Sequence, residues 1–295
     1  LVAIVGLAVL FCGLITFSFV KNLYAIQSFK SKFVKPPSME GNISEDIILM
    51  EHFRREISGL EELNRNWWLP RMGLNQSKYQ EENLKKIYLG MFEDGLLNPI
   101  DEKMQERIAG FDRNTPDLVV GLYAEHLAKR INLNKARLRN AELETMKNMP
   151  QPSTAVVLLL DKKLLPAVAA EFNNLYIYYL KWHTGPEVLQ IKQEDLKSRL
   201  VRLLKIKGDN MKWLVAWADH EEDLKPVLTS GFWTDRVVDP DKAEIKVPPA
   251  YTVAGDKRID DFIEQIEAAL EGSEEDERTL AEREGAFHDW YSVEY

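Results

Sequence analysis

The chain opens with twenty apolar or small residues, and the remainder alternates apolar and charged positions at helical spacing. Residues 1–20 carry no charge, the first charged side chain being Lys21. At about 1.5 Å per residue they form roughly 30 Å of helix, the thickness of a bilayer's hydrocarbon core. They lack the basic start and the small-residue cleavage site of a signal peptide, so a spanning helix is favoured over a cleaved signal. The first residue is not Met, which predicts a piece of a longer protein.

Beyond Pro36-Pro37, which interrupts the first helix, apolar residues recur three and four positions apart. Ser44 is the predicted N-cap of the next helix, and Thr115-Pro116-Asp117 is the predicted start of a later one. Between them a helical segment is predicted over residues 77–110, with Pro99 in the first turn of its second half. The apolar stripes are Leu49, Phe53, Ile57 and Leu60; Leu118, Val119, Leu122, Tyr123 and Leu127; Val168, Phe172, Leu175, Tyr176 and Tyr179; Leu196, Leu200, Leu203 and Leu204; and Ile259, Phe262, Ile263, Ile266 and Leu270.

Three segments depart from this helical pattern. Ala155–Asp161 reads AVVLLLD and is the best strand candidate, although so short an apolar run equally fits a buried helix. Residues 226–255 are punctuated by Pro and Gly and are predicted to be loop or irregular structure. Glu271–Glu284 contains seven acids and two arginines, and a solvated face or turn is favoured there over an acidic interaction tail.

The whole pattern predicts a mainly α protein. One N-terminal transmembrane helix is followed by an elongated multi-helical domain with little or no β-structure. The predicted divisions are residues 1–20 as the transmembrane helix, 21–45 as a juxtamembrane linker, 46–148 as a first helical region, and 149–295 as a second helical region truncated at its C-terminus.

Net charge restricts the class of binding partner, whereas neither charge nor cysteine content decides on which side of the membrane the chain lies. The 38 Lys and Arg residues against 47 Asp and Glu give a net charge of −9, which argues against nucleic acid as the main partner. The single cysteine, Cys12, lies in the predicted span, so no disulfide forms within the remainder of this chain. Four lysines and no acid follow the span. Taken locally, the positive-inside rule favours a cytoplasmic exit, but the rule compares two flanks and only one is in the sequence.

No catalytic, cofactor-binding or metal-ligating residue is predicted, and no cofactor. The histidines occur singly, and no phosphate-binding glycine loop or GxSxG motif is present. His126 is interpreted as a satisfied, partly buried residue rather than a ligand. Trp213 and Trp217 share a helix face, and core packing is favoured there over a stacking platform for sugars or bases. The histidines are His52, His126, His183, His220 and His288, and the remaining tryptophans are Trp67, Trp68, Trp182, Trp233 and Trp290.

Several segments, in order along the chain, resemble the part of the IcmF/TssM family that follows its last transmembrane helix. The distinctive one is AEHLAKRINLNKARL at Ala124–Leu138. The departures are small: Tyr251 stands where Phe is commoner in the family, and Asn134 where Leu is commoner. The other segments are WWLPRMGLNQSKY (67–79), NLYIYYLKW (Asn174–Trp182), MKWLVAWAD (Met211–Asp219), PVLTSGFW (Pro226–Trp233), VPPAYTVAG (Val247–Gly255) and FHDWYSVEY (Phe287–Tyr295).

The resemblance implies a non-enzymatic structural component of the type VI secretion membrane complex, anchored in the bacterial inner membrane and spanning the periplasm to support effector translocation. It places the bulk of the chain after Lys21 in the periplasm, against the local lysine count. The implied partners are further copies in a homo-oligomer, a small inner-membrane partner of the DotU/TssL type, the lipid bilayer and, through a region beyond Tyr295, the outer-membrane lipoprotein. The alternatives are an IcmF-like component of a type IVB secretion system, a membrane-tethered periplasmic binding module, and a membrane-bound hydrolase.

Overall fold

A computed structural model describes residues 2–32, 39, 41–67, 71, 75–160, 164–208, 211–228, 246–272 and 274–294. Over these residues the chain is mainly helical with one short strand pair, which confirms the predicted mainly α class. The elements are α1 (Val2–Lys32), α2 (Ile43–Arg65), α3 (Gln76–Phe92), α4 (Asn98–Ala109), α5 (Asp117–Leu138), α6 (Leu143–Asn148), α7 (Thr154–Leu160), α8 (Pro166–Trp182), α9 (Pro186–Ile206), α10 (Trp213–Ala218), β1 (Val227–Leu228), β2 (Lys246–Val247), α11 (Val253–Leu270) and α12 (Glu274–Glu294).

Asn42, and not the predicted Ser44, is the N-cap of α2. Its side-chain oxygen accepts a hydrogen bond from the backbone N–H of Ser44 at 3.2 Å. The carboxylate of Asp46, in the first turn, accepts another from the backbone N–H of Gly41 at 3.0 Å. Because Asn caps a helix as well as Ser does, and this second bond ties down the preceding residue, the helix starts two residues earlier than expected.

The predicted helical segment over residues 77–110 is confirmed as α3 and α4, with one widened turn between them. Glu93–Leu97 form a π-turn, and the N–H of Asn98 bonds to the carbonyl of Glu93. Pro99 follows and has no N–H to donate to the carbonyl four residues before it. The α-helical ladder is therefore already interrupted at this point, and the π-turn lies where the interruption falls.

The strand predicted at Ala155–Asp161 is wrong, and its helical alternative is confirmed as far as Leu160. α7 buries Val156 and Val157 and packs on α5. β1 and β2 pair only with each other among the described strands, so a strand here would have no ladder partner for its backbone groups. A helix satisfies those groups internally. Asp161 lies outside the described residues.

The predicted connector over residues 226–255 contains regular structure in both of its described pieces, residues 226–228 and 246–255. β1 and β2 pair antiparallel across it. A 3-10 turn at Pro249–Tyr251 then leads to Thr252, whose hydroxyl accepts a backbone hydrogen bond and caps α11. Residues 229–245 lie outside the described part of the chain.

The acid-rich segment Glu271–Glu284 is a turn followed by the first half of α12. Glu277, Arg278 and Glu282 are exposed, so the solvated face is confirmed for these described side chains. Leu280 and Arg283 on the same stretch are buried, which shows that α12 also has an inward face.

The described helices form two compact units, each discontinuous in sequence. The first comprises Leu1–Glu102 and Asp161–Thr184, and the second comprises Lys103–Leu160 and Gly185–Tyr295. The boundary predicted after residue 148 lies inside the second unit. The arrangement differs because α8 packs on α2 and α3 while α9 packs on α5, and periodicity along one helix does not reveal which helix it pairs with.

The first unit has an aromatic core between α3 and α8. The rings of Tyr88 and Trp182 meet edge to face at 4.9 Å between centroids, and those of Phe92 and Tyr179 lie 5.4 Å apart. The Tyr88 hydroxyl donates to the carbonyl of Leu175 at 2.9 Å, and burial raises the pKa of Tyr88 well above its usual value. These pairs add to the area burial that holds the two helices together.

In the second unit α5 contacts α9, α10 and α11. Trp217 of α10 lies 4.3 Å from Phe262 of α11 between ring centroids, and its Cβ closely approaches the backbone at Gly121 of α5. α12 adds Phe287 and Tyr291 to this core, and the Tyr291 hydroxyl donates to a backbone carbonyl of the 3-10 turn. The core thus joins helices that lie far apart in the sequence.

Candidate functional site

The surface of α1 is the most unusual feature of the described chain. This helix has no charged side chain before Lys21, and nearly all of Val2–Tyr24 is exposed, with Ile4, Leu7 and Leu10 each more than 60% accessible. A soluble helix of this length buries such residues. α1 is therefore long and apolar enough to cross a membrane, and its helix continues through Lys32 into the segment predicted as a linker.

The end of this apolar stretch is fixed to the first unit by two buried polar side chains. Asn22 Oδ1 accepts a hydrogen bond from the backbone N–H of Ser77 at 2.8 Å. Ser77 lies in the first turn of α3, where N–H groups lack helical acceptors, and the preceding Asn75 makes no side-chain capping bond. Asn22 thus caps α3 from another helix. Nearby, Ser18 Oγ donates to the carbonyl of Arg71 at 3.5 Å.

A tryptophan with two cations lies beside these bonds. Lys21 Nζ is 5.0 Å and Arg71 Cζ 4.4 Å from the centre of the Trp67 ring. The Arg71 guanidinium also donates to the backbone and side-chain oxygens of Asn64, at 3.0 and 3.2 Å, and to the hydroxyl of Ser77 at 3.2 Å. We call this set the anchor foot; it consists of Ser18, Lys21, Asn22, Asn64, Trp67, Arg71 and Ser77.

Sequence reasoning predicted the long apolar helix α1 but missed the anchor foot. The polar Asn22, two residues after a long apolar run, is the one local signal that could have drawn attention to it. Its partner Ser77 lies 55 residues further on. The pairing follows from the packing of α1 against α3, which no local pattern encodes. Trp67 is buried, and Trp68 lies outside the described residues.

Two carboxylates of α2 form partly buried ion pairs in the first unit. Glu61 accepts from Lys181 at 2.6 Å and from Lys85 at 2.8 Å. Burial raises the pKa of Glu61, but the hydrogen bonds and charges of Lys181 and Lys85 outweigh it and leave the pKa below its ordinary value. Glu51 is held in the same way by Arg54 and Arg55, at 2.7 and 2.6 Å. The pairs of Glu61 join α2 to α3 and α8, whereas those of Glu51 lie within α2.

The tryptophans favoured as core residues are core residues. Trp213 is 1% and Trp217 2% exposed, and both rings contact Phe262. The core interpretation of this pair is confirmed, and no open aromatic face remains on α10. Trp182 is likewise buried. Trp233 lies outside the described residues.

His126 is fully buried, whereas a partly buried position was predicted, and its Nδ1 lies 3.0 Å from the carbonyl oxygen of Ser153. His288 faces Asp260 and Glu284 at 3.8 and 3.7 Å. Among the described residues no three His, Cys, Asp or Glu side chains are arranged to hold a metal ion.

A cavity of about 240 Å³ lies in the second unit between α5 and α11. Its basic side chains are engaged: Lys135 donates to the last carbonyls of α11 and to Glu271, and Arg139 to Glu271. Burial lowers the pKa of Lys135, and the contact with Glu271 opposes this. These cations stabilise the C-terminus of α11. The lining residues are Lys129, Asn132, Lys135, Ala136, Arg139, Met149, Pro150, Gln265, Ala268 and Glu271.

Comparison with known proteins adds no relative. The chain matches no protein-family model, no curated protein and no solved structure. The features that bear on function are therefore the sequence segments and the geometry of α1 and the anchor foot.

Proposed function

We propose that the chain is a structural, non-enzymatic component of the type VI secretion membrane complex, of the IcmF/TssM type. In this proposal α1 crosses the inner membrane and the helical units lie in the periplasm, where they support effector translocation. Copies of the chain form a homo-oligomer and contact a small inner-membrane partner of the DotU/TssL type. The contact with the outer-membrane lipoprotein is made by a region beyond residue 295.

The observation that carries this proposal is the attachment of an exposed apolar helix to a helical body. Asn22 and Ser18 join α1 to α3 and to Arg71 by hydrogen bonds, so force on the anchor is transmitted to folded structure. The ion pairs of Glu61 with Lys85 and Lys181 then join α2 to α3 and α8. A scaffold needs such mechanical continuity, and the resemblance supplies the system in which it would act.

Sidedness and secretion test the proposal together. In two separate fusions, alkaline phosphatase or green fluorescent protein is attached after residue 295. Each fusion keeps the protein's natural N-terminal sequence. We expect the phosphatase fusion to be active and the fluorescent fusion dark. In a strain lacking the gene, we expect contraction-dependent secretion to stop and to return with the wild-type gene. A fluorescent C-terminal fusion, or secretion that continues without the gene, would contradict the proposal.

The type IVB alternative shares the anchor and the helical units, so structure does not separate the two. Genes next to the locus that encode a contractile sheath favour the type VI system, whereas their absence beside type IVB genes favours the other. The alternative of an aromatic binding module gains no support from α10, because Trp213 and Trp217 lie inside the core.

A further inference from the structure

The anchor foot differs from the rest of the first unit in the way its cations are balanced. Lys85 and Lys181 are paired with Glu61, and Arg54 with Glu51. By contrast, within the described part of the chain Lys21 and Arg71 contact an indole ring and neutral oxygens. The carboxylate beside them, that of Glu81, accepts from Asn64 and pairs with Lys85. On a chain of net charge −9, this is a local excess of positive charge.

The same place also has more hydrogen-bond donors than acceptors. Trp67 is 9% exposed, and within the described residues its indole Nε1 has no acceptor within hydrogen-bonding distance. The oxygens of Asn64 and the hydroxyl of Ser77 are already used by Arg71. A buried donor without an acceptor is costly, so a ligand rich in acceptors would be favoured at the anchor foot.

The position of the anchor foot along α1 indicates where such a ligand comes from. Lys21 directly follows the uncharged residues 1–20, at the level where a spanning helix leaves the hydrocarbon core. Trp and Lys side chains concentrate at this interface, and lipid phosphates lie beside it. Residues 1–39 contain no acid, so no nearby carboxylate of this segment competes for the cations.

We propose that the anchor foot binds the phosphate of an anionic phospholipid headgroup. Lys21 and Arg71 supply the positive charge, and Trp67 supplies the interfacial ring. The ligand class follows from the geometry: two cations held on one indole ring at the membrane interface match a phosphate in the headgroup layer. The proposal rests on α1 crossing the bilayer, which is the anchoring part of the proposed function.

Native mass spectrometry of the full chain in detergent micelles tests it, with phosphatidylglycerol and phosphatidylcholine titrated separately. We expect the parent chain to bind phosphatidylglycerol more tightly than phosphatidylcholine. Lys21→Gln should weaken that binding about five- to tenfold, the contribution of one interfacial cation, and leave phosphatidylcholine binding unchanged. Among the described residues the Lys21 ammonium contacts the Trp67 ring, and the bond that caps α3 is made by the side chain of Asn22, so the Lys21 variant retains that bond. Lys86→Gln on the exposed face of α3 removes the same charge and should change neither lipid's binding.

Three results would overturn the proposal. The first is equal binding of the two lipids by the parent chain, a result that needs no variant. The second is unchanged phosphatidylglycerol binding by Lys21→Gln. The third is displacement of the lipid by millimolar inorganic phosphate, which would make this a soluble-anion site. Alkaline carbonate extraction of membranes shows whether the lipid-binding proposal or the membrane-spanning proposal has failed. A chain that does not span the bilayer is released, whereas a spanning chain without lipid preference stays in the membrane.

Discussion

At the scale of single residues, the capping of α3 by a side chain from another helix has a direct energetic consequence. Asn22→Ala removes the acceptor of the Ser77 N–H, and Asn75 offers no side-chain replacement. We expect the unfolding free energy in micelles to fall by about 1 kcal/mol, the usual value of an N-cap. Thr16→Ala is the control, because the Thr16 hydroxyl donates to the Cys12 carbonyl within α1 and its side chain is exposed. Equal thermal melts of the two variants would contradict the capping role.

Trp213 offers a second residue-scale prediction. Its side chain is 1% exposed and meets Phe262 edge to face at 5.9 Å. Trp213→Ala leaves a large cavity, and we expect a loss of about 3–5 kcal/mol in unfolding free energy, measured by urea denaturation followed by circular dichroism. Tyr79→Ala removes a ring that is 65% exposed and should change stability by no more than about 0.5 kcal/mol. A Trp213→Ala loss no larger than the control's would place the ring outside the core.

These two residues also show what sequence reasoning can reach. The burial of Trp213 was predictable, because its apolar neighbours and its i, i+4 relation to Trp217 lie within one turn. The role of Asn22 was not, because its energetic value depends on a backbone group 55 residues away.

At the scale of elements, the approach of α10 to α5 depends on the absence of a side chain. A Cβ added at Gly121 would lie 2.7 Å from Trp217 Cβ. Alanine normally stabilises a helix relative to glycine, but here it forces the two helices apart, so we expect Gly121→Ala to cost about 1–3 kcal/mol. At Gly59, within α2, nothing lies within 4 Å of the added atom. Gly59→Ala should therefore raise the thermal midpoint, and opposite signs for the two variants check the prediction.

The contact between α11 and α12 has a pH dependence of its own. Burial, together with the charge and hydrogen bond of Glu284 and the charge of Glu264, raises the pKa of Glu267. Burial and the charge of Asp256 likewise raise the pKa of Asp260, and His288 opposes this. A carboxyl whose pKa is higher in the folded state holds its proton more tightly there. Its stabilising effect is therefore complete below the unfolded-state pKa of about 4 and is lost as pH rises through the folded-state pKa.

Glu267→Gln tests this contact by removing the charge at every pH. We expect a higher thermal midpoint than the parent at pH 7.5 and no gain near pH 3, which lies below the pKa of Glu267 in both the unfolded and the folded state. Solvent screening limits the gain to about 0.5 kcal/mol, because these side chains are largely exposed. Glu82→Gln, on the exposed face of α3, is the control for loss of one surface carboxylate. A gain in thermal midpoint that is the same at both pH values would show that the effect does not come from ionisation of Glu267.

At the scale of the whole molecule, helix content was predictable and helix pairing was not. The apolar stripes of α9 and α11 are explicit in the sequence and are buried. Those of α5 and α8 are explicit too, but four of their residues are only half-buried, namely Leu118, Val119, Leu122 and Val168. One stripe fits another whenever both are apolar, so the sequence does not say that α8 completes the first unit while α9 completes the second. The predicted contiguous regions follow from assuming that neighbours in sequence pack together, an assumption that α8 breaks.

The insertion of α8 leads to a prediction about folding in pieces. A fragment of residues 1–102 lacks α8, so Tyr88 and Phe92 lose Trp182, Phe172 and Tyr179 as ring partners. We expect this fragment to melt without a cooperative transition in micelles, because Phe53 of α2 is then the one described ring of another helix left against Tyr88 and the rest of the aromatic face of α3 is uncovered. A synthetic peptide containing α8 should restore the transition.

The matched control is a peptide containing α9, which is of similar length and also amphipathic but packs on α5 in the second unit. It should leave the fragment's melt unchanged, because rescue requires the particular rings that α8 carries rather than any apolar helix. Circular dichroism melts at equal peptide concentrations decide between the two. Cooperative melting of the fragment alone, or equal rescue by both peptides, would mean that α2 and α3 form a stable core without α8, and the first unit would then be contiguous in sequence.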